Sequence, residues 1–160
     1  MRLLAFLILL LVPFAAGAAD HGDHSEHVSD LDGFRAVHAW TRATSDDTTL
    51  VFMELENGNS ATIVVNGGQS EIASSGQLVG FVLKDGAETW QDIPSMPVQP
   101  NHDLHLEPHG LALLLSGLST PLVEGDMFVV QLNTSIGDLM LHVEVEDVRA
   151  GHHSHAGHSH

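Results

Sequence analysis

The sequence predicts an all-β protein built as a β-sandwich or a β-barrel. Apolar residues recur with a period of two over short segments, as they do along half-buried strands. Glycine, asparagine and aspartate, which favour turns, stand between these segments. No segment combines a sustained 3.6-residue apolar period with helix caps, which argues against parallel α/β folds.

Seven segments have the alternating pattern of strands. They cover residues 50–56, 62–66, 78–83, 104–107, 111–115, 127–132 and 139–145. In the last segment Leu139, Leu141, Val143 and Val145 share one face, and Met140, His142, Glu144 and Glu146 share the other. About seven short strands separated by turns are typical of sandwiches and barrels.

Composition and charge exclude several classes of function. The chain has 160 residues, 43% of them hydrophobic, which is enough for one packed domain. Its formal charge of -16 repels phosphate backbones and anionic lipid, so nucleic acids are excluded as partners. The absence of cysteine excludes disulfides and thiolate metal sites. No phosphate-loop, dinucleotide or nucleophile motif is present, so the sequence predicts a protein that is not an enzyme.

The two ends of the chain differ in composition from its middle. The predicted organisation is a signal peptide over residues 1–19, a His/Asp-rich segment over 20–30, a globular domain over 31–149 and a His-rich tail over 150–160. The leader has a positive start, an apolar stretch and small residues before two cleavage positions, after Ala18 or after Ala19. The sequence therefore predicts export to the periplasm, with two disordered His-rich tails and no membrane span after cleavage.

Four motifs occur in the order and spacing of a known family. They are AWTRAT at residues 39–44, FMELEN at 52–57, LEPHG at 106–110 and GLSTPLVEGD at 117–126. Over residues 37–145 the chain resembles the periplasmic copper chaperone (PCuAC) family. This resemblance implies a cupredoxin-like β-sandwich and the handling of copper in the periplasm.

The ligands with which that family binds Cu(I) are replaced in this chain. The family uses a His, a Met and a later His-x-Met pair, donors that suit the soft Cu(I) ion. When the chain is aligned through its Pro-His-Gly turn, these positions fall near Val79, near Trp90, and at Ala112 and Leu114. Either the domain is a degenerate relative with a packed former pocket, or metal binding has moved to histidines elsewhere. The clustering of the histidines favours the second explanation.

Twelve of the thirteen histidines are candidate metal ligands. They are His21, His24, His27, His38, His102, His105, His109, His152, His153, His155, His158 and His160. The three N-terminal histidines are spaced by three among carboxylates, and the five C-terminal ones fall within nine residues. Neutral imidazoles at such spacings can chelate an ion without a preformed pocket.

The histidines of the domain carry more specific predictions. On a regular strand Leu104 and Leu106 face the core, so His105 and Glu107 point outward, and His109 lies in the following turn. His102, His105 and His109 are predicted either as a surface metal site or as simply exposed. His38 is predicted as an edge-strand histidine that could meet a tail histidine. His142 is predicted to be only solvated.

The sequence as a whole predicts an exported protein that binds Cu(II) through histidines and buffers it or delivers it to a periplasmic cuproprotein. Copper is the expected ion and Cu(II) the favoured state, with zinc or nickel as alternatives, because imidazole without sulfur suits these borderline ions. Two other functions stay open. One is a non-selective Zn/Ni/Cu scavenger that uses its tails, and the other is a metal-free β-sandwich interaction module.

Overall fold

The computed structural model describes residues 27–153, which form eleven β-strands. The strands are β1 (Val28–Leu31), β2 (Phe34–Arg42), β3 (Thr48–Asn57), β4 (Ile63–Gln69), β5 (Ser75–Lys84), β6 (Ala87–Asp92), β7 (Met96–Val98), β8 (His102–Leu106), β9 (Leu111–Ser116), β10 (Met127–Thr134) and β11 (Gly137–Glu146). The predicted all-β class is confirmed. The predicted signal peptide lies outside the described residues, and within 27–153 no helix is long and apolar enough to cross a membrane.

The strands form one mixed sheet in the order β6-β5-β9-β3-β2-β11-β10-β4-β7, with β1 added to β2 and β8 added to β3. Strand β3 joins the two parts of this sheet, because its first half pairs with β9 and its second half with β8. All strand pairs are antiparallel except β2 and β11, which are parallel. That parallel pair places the end of β11 beside the end of β2, where the candidate site lies.

Alternation along the strands builds the core as the sequence predicts. Leu139, Leu141, Val143 and Val145 are all buried in β11, and Leu106 is buried in β8 while His105 is exposed. The outer face of β11 has one exception to the expected exposure. Glu146 lies on that face and is nevertheless buried, because the chain after β11 folds back over it.

The two layers of the sheet approach each other most closely at two glycines. Gly68 in β4 and Gly76 in β5 belong to strands that pack together without hydrogen bonding in a ladder. A Cβ atom on Gly76 would run into the carbonyl group of Gly68 and touch the side chain of Leu115. Only glycine therefore fits at this contact.

We expect Gly76→Ala to destabilise the protein by about 1–3 kcal/mol, the usual cost of overpacking a well-filled interior. The added methyl group meets backbone, which cannot rotate away as a side chain could. Thermal unfolding followed by circular dichroism measures the effect. Gly151→Ala is the matched control, because no atom lies within 4 Å of a Cβ built there. Equal melting temperatures for the two variants would contradict the close packing of the layers.

Candidate metal centre

Three imidazoles and two carboxylates converge where β1 begins, β2 bulges and β11 ends. We call this group the histidine cluster, and its members are His27, His38, Glu144, Glu146 and His153. Within residues 27–153, His27, Glu144 and His153 are the one set of three ligand-type side chains whose donor atoms all lie within 4.8 Å of one another.

Strand pairing places the first two histidines side by side. Val28 of β1 pairs with Val37 of β2, so His27 lies across from His38 at the end of this ladder. The ring centroids of His27 and His38 are 5.8 Å apart. The strand register thus makes neighbours of two histidines whose separation in the sequence matches no short metal-binding motif.

A β-bulge sets the position of His38. The pairing of β2 with β3 shifts between Val37 and Trp40, so that His38 and Ala39 lie opposite a single residue of β3. The backbone of His38 has a φ of 51°, in the left-handed region that residues other than glycine seldom adopt. Such a conformation costs about 1–3 kcal/mol and is found preferentially at functional positions. The bulge turns the strand and re-aims this side chain.

A short turn after β11 brings His153 back onto the sheet. The Asp147 carboxylate accepts a hydrogen bond from the backbone N–H of Arg149 at 2.8 Å, and this bond lowers the pKa of Asp147 below its usual value. The Arg42 Nε then donates to the carbonyl of Ala150 at 2.6 Å, which fixes the returning chain beside β2. As a result the side chain of His153 is only 6% exposed.

His153 is placed like a metal-binding histidine whose ring is oriented by a carboxylate. Its Nδ1 lies 3.0 Å from Glu146 Oε1, and its Nε2 lies 3.8 Å from Glu144 Oε2. In metalloproteins a carboxylate at one ring nitrogen orients the imidazole whose other nitrogen binds the ion. Glu146, which is itself buried, is placed to orient His153, and Glu144 is placed to share an ion with it.

The separations within the cluster are close to those around a bound ion. Glu144 Oε2 is 3.9 Å from His27 Nδ1 and 3.8 Å from His153 Nε2. Donors about 2.1 Å from a tetrahedral ion stand about 3.4 Å apart, so small side-chain rotations would close the site. The His153 ring also lies 5.1 Å from His38 and 5.2 Å from His27, centroid to centroid. Two or three imidazoles with one carboxylate form a nitrogen–oxygen site without sulfur.

The other predicted ligands are placed differently. His102, His105 and His109 are exposed: His102 Nδ1 contacts the carbonyl of Pro100, and His105 and His109 each lie near one glutamate, Glu54 and Glu88. In the described part of the chain these three do not form a group of three neighbouring donors. His142 and His152 are exposed as well. The predicted ligands His21, His24, His155, His158 and His160 lie outside the described residues.

The predicted meeting of His38 with a tail histidine is found in the structure, since its ring stacks near His153. The prediction that His38 lies on an edge strand is wrong, because β2 pairs with β1, β3 and β11 and lies inside the sheet. Glu144 and Glu146 were not predicted as members of the site. Their signal in the sequence is an alternating pair of carboxylates on the outer face of β11, which by itself predicts only a solvated surface.

The positions that hold Cu(I) in the PCuAC family are filled by apolar side chains that pack together. Val79 and Ala112 pair directly across β5 and β9, and Trp90 and Leu114 pack against them. Trp40 and Phe52 complete this small cluster, with ring centroids 4.9 Å apart. The predicted loss of the usual ligands therefore agrees with a packed former pocket.

Comparison with solved structures shows the fold. The chain superposes on the apo PmoF2 PCuAC domain with a TM-score of 0.66 at 19% identity, covering 79% of this chain and 99% of that domain. The copper-bound PCuAC domain from PmoF2 gives 0.64 at 17% identity, over 76% and 98% of the two chains. Apo-DR1885 from Deinococcus radiodurans gives 0.52 at 21% identity, over 92% and 97%. The resemblance to PCuAC domains noted in the sequence is confirmed.

Comparison of sequences shows the family. The family model described as "Putative lipoprotein LpqE-like" matches residues 35–145. The "Putative lipoprotein Lxx21020" of Leifsonia xyli subsp. xyli (strain CTCB07) is 35% identical over 128 residues, 79% of this chain and 77% of the relative. Lipoproteins are exported and associated with the cell envelope, which supports the predicted export. Membership of this family also agrees with the prediction that the protein is not an enzyme. The chain belongs to the LpqE-like family, on a fold that it shares with PCuAC domains.

Proposed function

We propose that this protein binds Cu(II) at the histidine cluster and buffers it, or delivers it to a cuproprotein, in the periplasm. The observation that carries the proposal is the convergence of His27, Glu144 and His153 around one point, with His38 beside them. A copper-bound domain of the same fold exists, the PCuAC domain from PmoF2, which supports copper as the cargo.

The donor chemistry favours Cu(II) over the alternatives. The cluster offers imidazole nitrogens and a carboxylate oxygen, and the methionines Met53 and Met96 lie buried in the main core. Sites without sulfur favour the borderline divalent ions over Cu(I), and among these Cu(II) binds such ligands most tightly. Zinc and nickel remain the competing ions because imidazole and carboxylate suit them too.

A second function is favoured by a specific feature of the sequence. Five histidines at residues 152–160 and three at residues 21–27 could bind Zn, Ni or Cu with little selectivity. The protein would then be a scavenger in which the tails carry the metal and the domain serves as their support. The two functions differ in which histidines take the first equivalent of Cu(II).

His38→Ala separates these functions, because His38 belongs to the cluster and lies in the domain rather than in a tail. We expect the first equivalent of Cu(II) to bind at least about 10–100-fold more weakly, and its EPR spectrum to change. Competition with a Cu(II) chelator, using the full exported chain, measures the affinity. An unchanged first equivalent would rule out His38 as a ligand of that ion and favour the scavenger.

His105→Ala is the matched control for this experiment. His105 also lies near one glutamate, Glu54 at 3.9 Å, but on the exposed outer face of β8. We expect its removal to leave the first equivalent of Cu(II) unchanged. Both variants remove one imidazole from the domain and leave both tails intact, so a difference between them reports the cluster itself.

A further inference from the structure

We propose a second metal site, for Cu(I), on the outer face of β10 and β11, with His142 and a methionine thioether as ligands. We call it the thioether patch and define it as Met127, Met140 and His142. It goes beyond the proposed function, because it uses different residues, a different donor element and a different oxidation state from those of the histidine cluster. It also lies on strands other than those that carry the PCuAC ligand positions.

Strand register places the three side chains on one face. Val129 pairs with His142 and Met127 pairs with Glu144, so Met127 is the diagonal neighbour of His142. Met140 precedes His142 by two residues on β11 and shares its outward direction. Diagonal and same-strand neighbours on one sheet face lie about 7–8 Å apart, within reach of a long thioether and an imidazole that share one ion.

The two methionines of the patch are unusually accessible. Met127 is 58% exposed and Met140 is 49% exposed, whereas Met53 and Met96 are 3% and 4% exposed. Burying a methionine stabilises a protein by about 1.5–3 kcal/mol, so two exposed methionines forgo that contribution. Together with His142 they line one cavity of about 580 Å³ between β1 and β11. The sulfur atoms are thus presented to solvent beside an imidazole.

The carboxylates that line this cavity, which are the hard ligands among its side chains, already accept hydrogen bonds. Asp138 accepts hydrogen bonds from the amides of Gln131 and Asn133, at 2.8 and 3.0 Å. Asp30 accepts one from the backbone N–H of Gly33. Among residues 27–153, no hydrogen-bond or ion-pair partner engages the His142 imidazole. The donors left to an incoming ion are one imidazole and two thioethers, the combination that selects Cu(I) over divalent ions.

The experiment uses the absence of cysteine from the whole sequence. Any sulfur bound to copper must come from methionine, and after signal cleavage two of the four methionines are buried in the core. Cu(I) is added anaerobically to the full exported protein, and copper X-ray absorption reports the bound elements. We expect a sulfur ligand together with nitrogen. A wild-type spectrum with nitrogen and oxygen ligands alone would overturn the proposal.

Two double variants identify the sulfur. Met127→Leu with Met140→Leu keeps the apolar volume of the patch and removes both thioethers. We expect this variant to lose the copper–sulfur signal and to hold Cu(I) about tenfold less tightly against a Cu(I)-selective chelator, a change of ~1.4 kcal/mol. Met53→Leu with Met96→Leu is the matched control and keeps the signal. A signal that persists in the first variant would overturn the proposal.

A third variant separates this proposal from the proposed function. His38→Ala removes a member of the histidine cluster and leaves the thioether patch intact. We expect it to keep the copper–sulfur signal of Cu(I). Failure of the Cu(II) experiment with retention of that signal would refute the histidine cluster alone, and the reverse result would refute the patch alone.

Discussion

Glu144→Lys is expected to abolish Cu(II) binding at the histidine cluster. Glu144 contacts both His27 and His153, and it supplies the oxygen of the three-donor group. The substitution removes that ligand and introduces an ammonium group where the ion would bind. We therefore expect the first equivalent of Cu(II) to bind more than about 100-fold more weakly, beyond the loss caused by removing an outer carboxylate. Isothermal titration against a competing chelator measures the change.

Glu54→Lys is the control for the effect of charge. It changes the net charge by the same amount and also places an ammonium beside a single histidine, His105. General attraction of a cation to the acidic surface is reduced equally in both variants. Only the loss at Glu144 should exceed this common effect. Equal weakening of Cu(II) binding in the two variants would mean that the cluster acts through charge alone and holds no ligand set.

Leu113→Ala is expected to lower the free energy of unfolding by about 2–5 kcal/mol, as other large-to-small substitutions in packed cores do. Leu113 is fully buried in β9, pairs with both β3 and β5, and its side chain reaches Gly68 in the opposite layer. The neighbouring strands are held in ladders and cannot close over the cavity. Urea unfolding should show a lower midpoint with an unchanged slope.

Leu83→Ala removes the same atoms from an exposed position at the end of β5. Surface substitutions of this kind usually change stability by about 0.5 kcal/mol or less. A similar loss in both variants would show that the destabilisation comes from leucine itself, through strand propensity, rather than from the packing of the core.

The alternation of apolar and polar residues in the sequence was enough to predict most of the fold. It located β3, β10 and β11 and assigned the buried face of β11, because that strand has one face on the core and the other, apart from Glu146, towards solvent. It missed β2, where the bulge at His38 interrupts the period of two and leaves Ala39, Trp40 and Thr41 buried in succession. It also missed β6, which has no buried face to produce a pattern.

The candidate site was harder to predict because it depends on contacts between distant parts of the chain. Histidine content pointed to His27, His38 and His153, and the meeting of His38 with a tail histidine followed from its position on β2. The roles of Glu144 and Glu146 could not be predicted in this way. Glu146 is buried only because the turn at Asp147 carries His153 back over β11, a path that no local pattern of residues specifies.

His27 directly precedes β1 and His153 lies in the segment after β11, and both reach the same point. A single ion bound to both would close that length of chain into a ring. A force that pulled the two ends apart would then load the metal–ligand bonds before the ladders of β1 and β11. Loss of the ion would release the start of β1 and the segment after β11 together, so the metal-free chain would yield to stretching at forces that the metal-bound chain resists.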